Sequence, residues 1–205
     1  LSDKLASLNF DRYQSWKASK ILSDDAKPSV LVFKGDVYQG LSADTFNTKQ
    51  LKFSQKHLRI LSGLYGILKP MDLIKPYRLE MGTKLVTDKG KNLYEFWGNA
   101  IQKNIINELD EQKSDLVINL ASKEYFSVIG KMPEYLNVVS PAFKDFKNGK
   151  YKIISFYAKR ARGLMARWII ENNIKDFERL SEFNVDGYYY SSKESSVNEP
   201  VFLRD

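Results

Sequence analysis

The chain of 205 residues has no cysteine and one histidine, and each shortage removes a class of chemistry. Without cysteine there are no disulfides, no thiolate-held zinc or iron–sulfur centres and no thiol nucleophile, a composition suited to a reducing compartment, so a cytoplasmic location is expected. The lone His57 lacks the second imidazole or thiolate that histidine-based metal sites use, and it is assigned no role. No apolar run approaches the ~20 residues of a membrane-spanning helix, and no charged-then-apolar leader precedes a cleavage site; no membrane partner is expected. Gly-rich phosphate fingerprints of the dinucleotide or Walker type, a G-x-S-x-G elbow and an H-E-x-x-H pair are also missing, so neither cofactor nor metal is assigned. The chain opens at LSDKLASLNFDRYQSW without a starting methionine, and the expectation is a single domain over residues 1–205, incomplete at its N-terminus.

Hydrophobic residues make up 43% and aromatics 13% of the chain, enough for one aromatic-rich core. Apolar residues recur at helical spacing through Leu5, Leu8, Tyr13 and Trp16. Residues 30–33 (VLVF) predict a buried strand running into the loop of Lys34, Gly35 and Asp36, a strand end of the sort where ligands bind or else an ordinary glycine turn. Residues 47–61 predict a helix stopped by Gly63. Leu93, Trp97, Ile101, Ile105 and Leu109 share one face of a core helix. Residues 115–120 read as a strand, followed by a short helix capped by Ser122. Residues 138–143 and 151–158 read as further strands, and residues 183–204 as a terminal hairpin. Strands interleaved with helices predict an α/β or α+β fold with a mixed sheet flanked by helices.

The formal charge is +7, and its distribution is uneven. Between Asp145 and Glu171 stand Lys147, Lys150, Lys152, Lys159, Arg160, Arg162 and Arg167 with no acid, a local excess equal to the net charge. On a helical wheel of residues 158–171, Ala161, Leu164, Met165, Trp168 and Ile169 gather on one side and Lys159, Arg160, Arg162 and Arg167 on the other. A helix starting at Ala158 would hold three of these cations in its first turn, against its dipole, unless an anion sits there. A merely solvated basic face is the alternative.

The stretch LSGLYGILKP, residues 61–70, carries Gly63, Leu64, Tyr65, Gly66, Ile67 and Lys69. A helix-hairpin-helix element turns through glycine–apolar–glycine and offers backbone N–H groups to DNA phosphates. One extra residue separates these glycines, and Pro70 and Pro76 would shorten a second helix. A helix C-cap followed by a proline-rich turn is the plainer reading.

The motifs FKGDVYQGL (33–41), HLRILSGLYGILKPMDLIKPYRLEMG (57–82), LYEFWG (93–98), INLASKEYF (118–126) and KIISFYAKRARGLMARWIIEN (152–172) resemble, in this order, the YaaA peroxide-stress family over nearly the whole chain. The resemblance implies one globular α/β fold of unusual topology in a cytoplasmic protein. It also implies peroxide survival through lowering of unincorporated iron, and DNA binding by a helix-hairpin-helix element and a positive cleft. Carried over, the hairpin falls on Gly63, Leu64, Tyr65, Gly66 and Ile67, and the cleft on Lys159, Arg160 and Arg162. The family's opening strand and Ser-Pro-Ala-Lys-Thr stretch have no counterpart here. The expected partner is therefore DNA, bound through its backbone by a monomer. The alternative is an enzyme acting on a nucleotide, base or DNA lesion, with Lys34, Asp36, Lys123 and Glu124 near strand ends as candidate catalytic groups. Direct iron chelation is not expected from oxygen ligands without a recognisable spacing.

Overall fold

A computed structural model describes residues 3–16 and 25–205. Helix α1 (Asp3–Ser15) leaves Leu8, Tyr13 and Trp16 exposed and buries Asn9, whose side-chain oxygen accepts the Arg78 N–H at 2.8 Å. Strand β1 (Lys27–Pro28) leads into α2 (Ser29–Val32), a single turn where residues 30–33 predicted a strand. The reason lies in the backbone donors: Ser29 N–H binds the Asp72 carbonyl and Val30 N–H the Pro70 carbonyl, so the proline loop takes the groups a ladder would need.

Next come α3 (Asp36–Leu41) and α4 (Thr48–His57). A capping box between Asn47 and Gln50 starts α4. It ends at His57, not at Gly63, and residues 60–62 turn extended. Strands β2 (Ile60–Ser62) and β3 (Gly66–Leu68) pair antiparallel, while β4 (Leu73–Ile74) pairs with β1. The expected helix-hairpin-helix element is thus a strand–turn–strand. Apolar residues at 58, 60, 61, 67 and 68 suit an extended pair packed on two sides as well as a helix end.

The helix expected through Leu93 and Leu109 is two, α5 (Leu93–Trp97) and α6 (Ala100–Gln112), broken where Gly98 takes φ +49°. Strand β5 (Leu116–Ile118) follows, then α7 (Lys123–Phe126), capped by Ser122, which accepts the Tyr125 N–H. Strand β6 (Asn137–Val139) lies parallel to β5. Strands β7 (Ala142–Lys147) and β8 (Lys150–Lys152) form a hairpin through Asn148 and Gly149. The predicted strand at 151–158 stops at Lys152, and α8 (Ser155–Glu171) takes up the rest of that stretch from Ser155. Strands β9 (Tyr189–Tyr190) and β10 (Val201–Arg204) make the terminal hairpin, and β10 also runs parallel to β7, giving a mixed sheet in the order β8-β7-β10-β9.

One face of this sheet packs on α8: Phe143, Phe183, Tyr188 and Phe202 surround Met165 and Ala161, with the Phe143 and Phe202 rings stacked at 5.5 Å. Each such buried aromatic contributes roughly 1.5–3 kcal/mol. The other face of α8 meets α3 without side chains between them. A Cβ on Gly163 would stand 1.8 Å from the Val37 carbonyl oxygen, and one on Gly40 2.3 Å from that of Arg160. Helix α8 is therefore covered on two sides, which explains why Gly163, Ala166 and Ile170 are buried as well as Ala161 and Met165 of the predicted stripe, whose Leu164, Trp168 and Ile169 are half-buried. No helix among the described residues is long and apolar enough to cross a membrane.

Candidate functional site

Because α8 begins at Ser155, Lys159, Arg160 and Arg162 lie in its second turn, not its first, and the expected conflict with the helix dipole is largely relieved. Lys159 and Arg160 are exposed, whereas Arg162 is half-buried. Its guanidinium reaches only carbonyls, Ala158 at 3.3 Å and Leu120 at 3.5 Å, and among the described residues no carboxylate lies within ion-pair distance. Burial accordingly pushes its pKa down. A partly desolvated cation without a counterion is costly to keep unless an anion visits it.

Arg167 is engaged differently. Its guanidinium donates to the carbonyls of Leu41 and Ser42 and to Thr45 Oγ1, pairs with Glu171 at 2.8 Å and lies over the Phe46 ring. It ties the end of α3 onto α8.

Two contacts gather the other candidates. The close crossing at Gly40 sets α3, with Asp36 at its start and Lys34 just before it, against the second turn of α8. The Arg162 bond to Leu120 joins α8 to the turn that carries Lys123 and Glu124. Lys34 is exposed and lines a cleft of about 170 Å³ with Phe33, Tyr38, Gln39, Ser42 and Asp44. Glu124 is committed to the chain itself, since its Oε1 accepts the Gly82 N–H at 2.8 Å.

The hairpin is built into the fold. Gly63 and Gly66 are buried: a Cβ on Gly63 would stand 2.5 Å from the Leu79 carbonyl oxygen, and one on Gly66 2.8 Å from the Trp97 ring. Gly66 also takes φ +74°, the left-handed residue that closes a three-residue hairpin loop. Ser62 Oγ accepts the Tyr65 N–H, and Trp97 Nε1–H donates to the Gly63 carbonyl at 3.0 Å. Leu64, Tyr65 and Ile67 are half-buried. Lys69 points to α6, where its ammonium joins Arg59 on the Glu108 carboxylate.

What the sequence reading overlooked is a set of tyrosines. Phe33 stacks on Tyr38, and Tyr77 meets Phe33 and Tyr65 edge-on. The Tyr77 hydroxyl shares a hydrogen bond of 2.5 Å with Ser62. Burial pushes Tyr38 far up and Tyr77 up to about 12, and Tyr125 on α7 adds to both shifts. These phenols stay protonated at neutral pH, so each keeps an O–H that is able to donate a hydrogen bond. Their signal was in the motifs already quoted, since KGDVYQG, IKPYR and KEYF each carry one.

A family model described as peroxide stress protein YaaA matches residues 1–194. Over its whole length the chain is 53% identical to a UPF0246 protein of Shewanella pealeana, of which it covers 79%. It is 54% identical to one from Shewanella denitrificans and 53% identical to one from Pseudoalteromonas translucida, each with all of this chain and 79% of the relative aligned.

Proposed function

The chain belongs to the peroxide stress protein YaaA family, and on that premise we propose that it is a cytoplasmic monomer that binds DNA largely through the phosphate backbone. In this reading it limits oxidative damage by helping to lower free iron, and does so indirectly, since one histidine and no cysteine leave only oxygen ligands. The observation that carries the reading is uncompensated charge. Of the seven cations between Asp145 and Glu171 only Arg167 is paired, leaving six without a carboxylate at ion-pair distance among the described residues. Lys159, Arg160 and Arg162 form the centre of the interface, with Lys34 and Lys123 on the neighbouring elements. Gly63, Leu64, Tyr65, Gly66, Ile67 and Lys69 take part through the hairpin, whose Tyr65 meets Tyr77 and, through it, Phe33 of the cleft.

A salt series on duplex DNA tests this. Five or six neutralised phosphates give a log–log slope of roughly −4.5 to −5.4, and Arg160→Ala with Arg162→Ala weakens binding alike for all sequences. A flat salt dependence, or a loss confined to one sequence, contradicts it.

One observation favours a second reading, an enzyme acting on a nucleotide, base or DNA lesion: Lys34 borders a cleft whose wall holds the neutral phenol of Tyr38. Borohydride trapping on a duplex with an abasic site checks for a lysine Schiff base. No adduct, or one that Lys34→Ala leaves unchanged, removes this role for Lys34.

A further inference from the structure

Strand register sets three lysines beside the start of α8. Along β7, Phe143 and Asp145 face α8, and Lys147 is the next residue on that side. Lys150 lies directly across from Lys147, and Lys152 across from Asp145, so all three lysines stand on the α8 side of the β7–β8 hairpin. Helix α8 then begins at Ser155, and its Phe156 shares a face with Lys159 and Arg160, three and four positions on. Phe156 is 55% exposed, and none of these five cations has a carboxylate at ion-pair distance among the described residues. The ring is braced from behind: it stands edge-on to Tyr157 at 5.7 Å, and the Arg204 guanidinium lies over Tyr157 at 4.7 Å. Arg204 is held by Asp145 and Asp186, and Asp145 also accepts from the Tyr188 hydroxyl, so the nearby carboxylates are occupied.

An apolar ring held outward between two groups of free cations calls for a partner that is anionic at its rims and apolar between them. A DNA duplex has that cross-section, with phosphates on both sides of stacked bases. We propose that Phe156 is a wedge that enters a base step of the duplex, with Lys147, Lys150 and Lys152 on the phosphates to one side and Lys159 and Arg160 on those to the other, so that the DNA is bound kinked. This rests on the backbone-binding reading above and adds to it the shape of the bound DNA. An anionic membrane surface also has an apolar layer beneath its charge, but it is flat. Phe156 follows the inner end of the hairpin, whose tip at Asn148 and Gly149 lies three residues, roughly 10 Å, further out. A corner between a projecting hairpin and a helix admits a rounded duplex better than a plane.

Energy transfer between dyes on the two ends of a short duplex, with 2-aminopurine beside a central TA step, reads the kink in a complex with the whole chain. The parent protein raises end-to-end transfer, as a bend of roughly 20–90° requires, and raises 2-aminopurine emission as the base unstacks. At saturating protein Phe156→Ala loses both signals while its salt slope stays that of the parent, since the ring meets no phosphate. Phe156→Leu, whose side chain can still wedge, keeps both signals. Lys159→Ala with Arg160→Ala instead lowers the salt slope by about 1.8. A parent complex that leaves both signals flat, or a Phe156→Ala complex with parental signals, overturns the wedge and leaves backbone binding standing. Absence of any duplex binding overturns both. Capture on phosphatidylserine vesicles that Phe156→Ala abolishes, with the duplex signals unmoved, assigns the ring to a membrane surface and also overturns the wedge.

Discussion

The β2–β3 and β7–β8 hairpins both turn through glycine beside a lysine, yet a Cβ on Gly63 would stand 2.5 Å from a backbone carbonyl whereas one on Gly149 would meet nothing within 4 Å. The first hairpin is enclosed by Leu79 and Trp97, and its Lys69 is held by Glu108. The second projects from the sheet with Lys147 and Lys150 uncommitted. A glycine that permits close packing and a glycine that permits a sharp exposed turn look alike in a sequence, and only their surroundings tell a structural element from one that can meet a ligand.

The contrast is broken most severely if Gly63→Ala is tolerated. With its new methyl against backbone that cannot swing aside, we expect a loss of about 3 kcal/mol or more in chemical denaturation. Trp97→Phe comes next, since it strips the buried Gly63 carbonyl of its donor and is expected to cost about 1–2 kcal/mol. Gly149→Ala, which only places a side chain at φ +76°, is expected to cost about 1 kcal/mol and no more. In binding, Lys147→Ala with Lys150→Ala reduces the salt slope for duplex DNA by about 1.8, at roughly 0.9 per phosphate, and Lys69→Ala leaves it unchanged.

The smallest effect is a pH dependence confined to the enclosed hairpin. Burial pushes the Glu108 carboxyl up, but hydrogen bonds from Arg59 and Lys69 outweigh it and hold the pKa below the usual range. A lowered folded-state pKa contributes stability that is full above the unfolded value, about 4.3, and is lost as pH falls through the folded one. Glu108→Gln should therefore flatten the acid limb of a stability–pH profile below about pH 4.5 and leave its neutral limb parallel to the parent. An unchanged acid limb would show that the triad does not anchor this hairpin.

Much of the scaffold could be read from residue patterns. The Ser122 cap, the terminal hairpin and the inward residues Ala161 and Met165 on α8 follow from spacing and capping chemistry, because each is decided by neighbours close in sequence. The failures have distant causes. VLVF became a helical turn because carbonyls from Pro70 and Asp72 took its donors, and residues 60–62 became a strand because residues 66–68 lay ready to pair. The candidate site was half legible: its cations stand in one run, but whether a cation is free depends on acids far along the chain, such as Glu108 for Lys69. The exposed turn of Asn148 and Gly149 was legible and passed over, since Asn-Gly flanked by apolar and charged residues is a strong hairpin signal.

The crossing of α3 and α8 has a consequence for reading other chains. With backbone against backbone at Gly40 and Gly163, no side chain is available there to be traded for another by compensating substitution. The pair is thus a fingerprint with no synonyms: a chain that kept the flanking motifs but carried even alanine at position 163 must have moved one helix off the other. The start of α3, with Asp36 and the preceding Lys34, would then shift against α8, and such a chain could keep the fold's outline without keeping this crossing.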